Sequence, residues 1–90
     1  MVEESHLLMF TGTECTHCHE MEPLVKKLEK EEKLTVTRFE VWHHADNMKK
    51  FQEVEHGTCG GIPFFFNKKT GKSICGSASY DELKAWALGM

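Results

Sequence analysis

TECTHCHEMEP, residues 13–23, sets two cysteines, two histidines and three glutamates in eleven positions ending in a proline. Such a stretch is either part of a metal site or a pair of cysteines built to react with each other, and its flanks favour the second. Upstream, HLLMF (6–10) is a continuous apolar run that suits a short strand buried on both faces. Downstream, Cys18, Met21, Val25 and Leu28 recur at three- and four-residue steps, as on an amphipathic helix. The Cys-x-x-Cys therefore falls at a strand-to-helix junction, with Cys15 at the helix N-terminus. Free N–H groups and the positive dipole end stabilise a thiolate there and lower a cysteine pKa from ~8.5 into a range of about 3.5 to 7.5. Cys18 lies one turn inward, close enough to close a disulfide. His17 sits between them; protonated, it further stabilises the Cys15 thiolate and makes the pair a better oxidant.

A structural zinc site competes with this reading, but zinc prefers two close ligand pairs, and Cys59 and Cys75 stand sixteen residues apart. A zinc or copper module using the Cys15 and Cys18 thiolates is kept as the alternative function. No cofactor is expected. His19, His43 and His44 read first as surface histidines and second as a metal hypothesis.

Beyond the helix, LTVTRFEVW (34–42) is rich in β-branched and aromatic residues and reads as a strand whose alternation slips between Val36 and Phe39. Ala45, Met48, Phe51 and Val54 mark a second helix, with Gly57 as its C-cap. PFFFN, KKTG and KSICG (63–76) predict strand, turn and antiparallel strand, Gly71 supplying the positive φ of the hairpin. Ser79 and Glu82 form a capping box ahead of a last helix with Leu83, Trp86 and Ala87 inward. The order is βαβαββα, and the first two strands are parallel because a helix crosses between them.

Ninety residues predict one domain over 1–90. No apolar run approaches the roughly 20 residues of a membrane span, so no membrane partner is expected. A formal charge of −3, with acids and lysines interleaved in KKLEKEEK, leaves no basic stripe for nucleic acid. MVEESHLLMF has acids where a signal peptide has a basic region, which predicts a cytoplasmic chain.

On these motifs the chain resembles the thioredoxin superfamily over nearly its whole length. CTHCHEMEP matches the CxxC followed by a helix proline, here Pro23; GGIPF matches the Ile-Pro loop; GSASYDELKAW matches the glycine after the last strand and the closing helix. The resemblance implies a thioredoxin-like α/β fold, a four-stranded mixed sheet flanked by three helices. It implies thiol–disulfide exchange with Cys15 as nucleophile, Cys18 as resolving thiol and His17 as tuner. It further implies a cis Pro63 facing the cysteines, with substrate contacts at Thr16, Ile62 and Gly76. Expected partners are protein or small-molecule disulfides and an electron donor the sequence does not identify; the chain is expected to act as a monomer. Pro23 is expected to kink its helix. Three departures stand out. Met9 occupies the position of a buried aspartate that helps deprotonate the resolving cysteine, Glu14 replaces the tryptophan before the first cysteine, and the additional N-terminal strand and helix are missing. The short architecture resembles glutaredoxin, without its Thr-Val-Pro loop or paired glycines.

Two features leave alternatives open. Cys59 and Cys75 read first as small buried apolar residues, and second as exchangeable thiols on the active-site rim. Phe64, Phe65 and Phe66 read as central-strand core, or as an apolar lip for a protein partner.

Overall fold

The computed structural model describes residues 5–90; the first four, on which the reading of the N-terminus partly rests, lie outside them. Four strands and three helices alternate as β1 (Leu7–Thr11), α1 (Thr16–Glu32), β2 (Thr37–Glu40), α2 (Ala45–Glu55), β3 (Phe64–Asn67), β4 (Ser73–Cys75) and α3 (Tyr80–Leu88). The sheet order is β2-β1-β3-β4. β1 runs parallel to β2, pairing Phe10 with Phe39, and antiparallel to β3, pairing Phe10 with Phe64. Among the described residues no helix is long and apolar enough to cross a membrane.

The central position of β1 explains its unbroken apolarity. Leu7 and Met9 face one layer with Phe65, packed under α1 and α3 by Met21, Val25, Leu28, Leu83 and Trp86. Leu8 and Phe10 face the other layer with Phe64, covered by Val41 and by Phe51 of α2. Leu7 through Phe10 are all fully buried, and side chains of this size each stabilise the fold by about 1.5–3 kcal/mol on burial. The three phenylalanines of β3 follow the same alternation. Phe64 and Phe65 are buried on opposite faces, while Phe66 is half-buried and packs against the second layer. The triplet is core rather than a lip.

Several boundaries differ from expectation. β2 is only Thr37–Glu40, shorter than 34–42, because the apolar residues at its ends serve different layers. Val36 packs beneath α1 and gives its N–H to the Glu29 carboxylate at 2.9 Å, whereas Val41 packs against α2. That split is the phase slip seen in the sequence. Arg38 fastens β2 to α1 by binding Glu22 and Glu29, each at 3.0 Å. α2 is capped by His56 at φ 52°, one residue before Gly57, with the His56 N–H donating to the Gln52 carbonyl. α1 continues through Pro23 as one helix. At the far end of the sheet Asn67 is buried yet satisfied: its amide donates to the Trp86 carbonyl at 3.0 Å and its oxygen accepts the Lys69 N–H at 2.9 Å. Removing that side chain orphans the partners and costs about 1–3 kcal/mol.

Candidate active site

Three chain segments meet at the C-terminal edge of β1. After Thr11 the chain turns at Gly12, whose carbonyl accepts the Cys15 N–H at 3.1 Å. Cys15 is the N-cap of α1, its backbone extended and its sulfur accepting the Cys18 N–H at 3.2 Å. Cysteine thus occupies the position that serine or aspartate fills in most helices, so the group nearest the unpaired N–H groups is a sulfur of the CxxC pair. Cys15 and Cys18 are buried and joined by a disulfide, with Cα atoms 5.2 Å apart.

Opposite them stands the loop before β3. The Ile62–Pro63 peptide bond is cis and Pro63 is buried. The Ile62 carbonyl oxygen lies 4.0 Å from the Cys15 sulfur, so the loop's backbone faces the CxxC. Gly76, at φ 89°, donates its N–H to the Pro63 carbonyl at 2.8 Å, and a Cβ there would meet nothing within 4 Å. Ile62, Pro63 and Gly76 are therefore brought together beside Cys15. Thr16 is exposed on the first turn of α1.

His17 is exposed, and its Nδ1 lies 3.6 Å from Glu20 one turn along the helix. Met9 is fully buried in the apolar layer under α1, so its position carries no carboxyl.

The loop between β2 and α2 supplies contacts that the pattern of residues did not reveal. Glu40 accepts the Thr13 N–H at 2.9 Å, the Thr13 hydroxyl at 3.2 Å and the His43 N–H at 2.7 Å. His43 in turn places Nε2 at 2.8 Å from Glu14. Partial desolvation pushes the Glu40 carboxyl up, but the donors from Thr13 and His43 outweigh it and hold the group below the usual carboxylate range. The hydrogen bond and charge of Glu14 hold His43 above the ordinary imidazole value. His43 is exposed, as the sequence reading had it, and its pairing with Glu14, next to Cys15, is a contact that reading did not contain. Ligand atoms of Glu14, Glu40 and His43 lie within 4.8 Å of one another; their oxygens and ring nitrogen are engaged with each other and with Thr13. His19 and His44 are exposed.

Trp42 was also missed, since nothing in the strand pattern marks its place. It is half-exposed and packs over Gly12: a Cβ on Gly12 would fall 2.7 Å from two Trp42 ring atoms and 2.8 Å from the Ile62 side chain. Trp42, Ile62, Met48 and Phe51 border a cavity of about 290 Å³ beside the Pro63 loop.

Cys59 and Cys75 correct the first expectation for them. They are neither free nor buried in the core: Cys59 is half-buried, Cys75 is exposed, and the two form a disulfide with Cα atoms 5.5 Å apart. Sequence distance hid the contact. The antiparallel pairing of β3 with β4 brings Cys75 opposite Phe64 and hence beside the loop that carries Cys59.

A mixed four-stranded sheet with a CxxC capping its first helix defines a redox-type α/β domain. The family model Thioredoxin matches residues 1–88, and the chain belongs to the thioredoxin family. A search of curated proteins gives no match. At the level of that family, the Cys15–Cys18 pair makes the chain a domain of the thiol–disulfide oxidoreductase type.

Proposed function

We propose that the chain exchanges its Cys15–Cys18 pair with disulfides of protein substrates, Cys15 as nucleophile and Cys18 as resolving thiol. The observation that carries this reading is the N-cap position of Cys15, opposite the Ile62 carbonyl. In the reduced domain the Cys15 thiolate attacks one sulfur of the substrate, forming a mixed disulfide and expelling the other sulfur as a thiolate. Cys18, as thiolate, then attacks the Cys15 sulfur, forms the bond seen here and releases the second substrate thiol. With a methionine at position 9, the departing substrate thiolate or solvent receives the Cys18 proton. Two electrons pass to the substrate, and an external thiol donor returns them to Cys15–Cys18. The backbone of Ile62 and the open Gly76 accept an extended substrate segment, and Thr16 borders it on the helix side. We place the domain, as a monomer, in a thiol-rich compartment such as the cytoplasm. The test is a single turnover: the reduced chain is mixed with insulin, and free substrate thiols are counted by mass after alkylation. With the wild type reduced at Cys15–Cys18 alone, two electrons per chain should be transferred, and Cys15→Ser treated in the same way should transfer none. A wild-type chain that binds zinc or copper stoichiometrically and reduces no disulfide would overturn the reading in favour of a metal module.

A further inference from the structure

The second disulfide spans both flanks of the Pro63 loop. Cys59 lies in the segment 56–61 leading into Ile62, and Cys75 ends β4 immediately before Gly76. Within that segment Thr58 donates its N–H to the Glu55 carbonyl at 2.9 Å and Cys59 packs against the second core layer, while its glycines stand in open space. His56, Gly57 and Gly60 all have positive φ, and a Cβ on Gly57, Gly60 or Gly61 would meet nothing within 4 Å. On the α2 side the Glu55 carboxylate accepts the N–H groups of Cys59 and Gly60, each at 2.9 Å. On the β4 side the covalent bond to Cys75 ties the segment down. Glu55 and Cys75 thus tie down the two sides of a loop whose glycines leave open space around them.

Burial distinguishes the two residues: Cys75 is exposed and Cys59 is half-buried and packed against the second core layer, which leaves Cys75 the more open side of the bond to a thiolate from solvent. We propose that Cys59–Cys75 is a second thiol-exchange site, opened at Cys75 by low-molecular-weight thiols, and that opening it loosens the loop that presents Ile62 to Cys15. The incoming thiolate bonds to Cys75 Sγ as the Cys59–Cys75 bond breaks, and Cys59 leaves as a thiolate that takes a proton from solvent. A second thiolate attacks the incoming thiol's sulfur in the mixed disulfide, forms the external disulfide and releases Cys75, which is protonated in turn. The pair gains two electrons and two protons, and two molecules of external thiol become one disulfide.

Local charge sets the order of opening. Cys15 lies at the positive end of α1, whereas the backbone of Cys59 is bound by the Glu55 carboxylate. The amides of Cys59 and Gly60 hold that carboxyl below its ordinary range, so it is a fixed negative charge. It favours the neutral thiol at Cys59 and gives the reduced pair none of the stabilisation that the Cys15 thiolate enjoys. Cys59–Cys75 therefore opens in more reducing buffers than Cys15–Cys18. The effect on turnover rests on the oxidoreductase reading; the exchange chemistry does not.

The experiment equilibrates the full chain in glutathione and then dithiothreitol buffers of falling poise, quenches with acid, alkylates and maps by mass. A species alkylated only at Cys15 and Cys18 should form first and the fully alkylated chain second, with any trapped glutathione adduct on Cys75. Amide hydrogen exchange at Cys59, Gly60 and Ile62 should then quicken about tenfold or more while β1 stays protected. Single-turnover reduction of insulin should be at least about fivefold slower from the fully reduced chain than from the chain reduced only at Cys15–Cys18. A Cys59→Ser/Cys75→Ser variant should match the fully reduced chain, which carries no substitution and gives the same readings should the variant fail to fold. Survival of Cys59–Cys75 in excess dithiol, its opening ahead of Cys15–Cys18, an adduct on Cys59, or unchanged loop exchange would each overturn the proposal. Absence of insulin reduction by any form would instead refute the oxidoreductase reading, and the mapping and exchange data would still decide this one.

Discussion

Two disulfides within one small domain are held in opposite ways. Cys15 and Cys18 are three residues apart on the first turn of one helix, buried, with the sulfur of Cys15 among unpaired N–H groups. Cys59 and Cys75 are sixteen residues apart, join a loop to an edge strand at the surface, and lie beside a carboxylate. The first bond closes a ring so short that breaking it releases little chain, and the helix end stabilises what is released. The second closes a longer ring, and the group bound to Cys59 is a carboxylate, which disfavours a thiolate. On the function proposed above, one bond is exchanged in each turnover and the other holds the surface on which exchange occurs.

The sharpest way to break this contrast is to remove one sulfur at a time. Cys15→Ser should reduce insulin at the uncatalysed rate, and Cys18→Ser should accumulate mixed disulfides at Cys15. Preferential alkylation of Cys18 over Cys15 at pH 7 would reverse the two roles. Next in size is stability. Cys59→Ser/Cys75→Ser should lower the unfolding free energy by about 2–4 kcal/mol, whereas reducing Cys15–Cys18 should lower it by less, since the loop-entropy term shrinks with ring size and the freed thiolate is stabilised. Urea titrations of the three species would measure both, and equal losses would erase the distinction.

Element types and order were legible because the two periodicities are strong. HLLMF and PFFFN are apolar on both faces since they pair at the centre of the sheet, and Ser79 with Glu82 makes the capping box observed at α3. The place of the Cys15–Cys18 pair was legible for the same reason: a strand and a helix meet at Cys15. What could not be read were contacts made by residues distant in sequence. Cys59 meets Cys75 only through the β3–β4 register, and His43 meets Glu14 only because β2 is parallel to β1 and ends beside it. Trp42 and Gly12 form a tight contact that leaves no periodic trace. The short extent of β2 was hidden because Val36 and Val41 are both buried, but in different layers.

The His43–Glu14 contact extends the comparison to pH, because the helix-end site is bordered by an imidazole paired with a carboxylate. The folded pKa of His43 is raised above its unfolded value. Its contribution to stability is therefore fully present below the unfolded value of about 6.5 and is lost as pH rises through the raised one. His43→Gln should be less stable than wild type at pH 5.5 and indistinguishable from it well above the raised pKa. The gap in urea midpoints between the two proteins, followed from pH 5.5 to 9, checks this. A gap that stays constant would show that the ring acts by packing rather than charge.

The smallest effect is the redox poise of Cys15–Cys18 itself. Each unit of pKa depression at Cys15 stabilises the thiolate by about 1.4 kcal/mol, equivalent to about 30 mV for a two-electron couple. By this route His17 is expected to raise the potential, and Met9, fully buried, puts no charge under α1 to oppose the thiolate. Glu14 pulls the other way, but His43 pairs with it at 2.8 Å, and both groups stand in screening solvent. Glu20, 3.6 Å from the His17 ring, takes back part of the His17 contribution. The balance favours a midpoint more oxidising than the ~−270 mV of thioredoxin. His17→Pro should move it toward that value by roughly 10–40 mV, and Glu20→Gln should move it the other way by less. Cys59–Cys75, remote from α1 in the chain, should keep its midpoint in both variants. Equilibration in glutathione buffers with alkylation and mass readout resolves the two pairs separately. An unshifted Cys15–Cys18 midpoint in His17→Pro would mean that the helix end alone, without the imidazole, sets the poise.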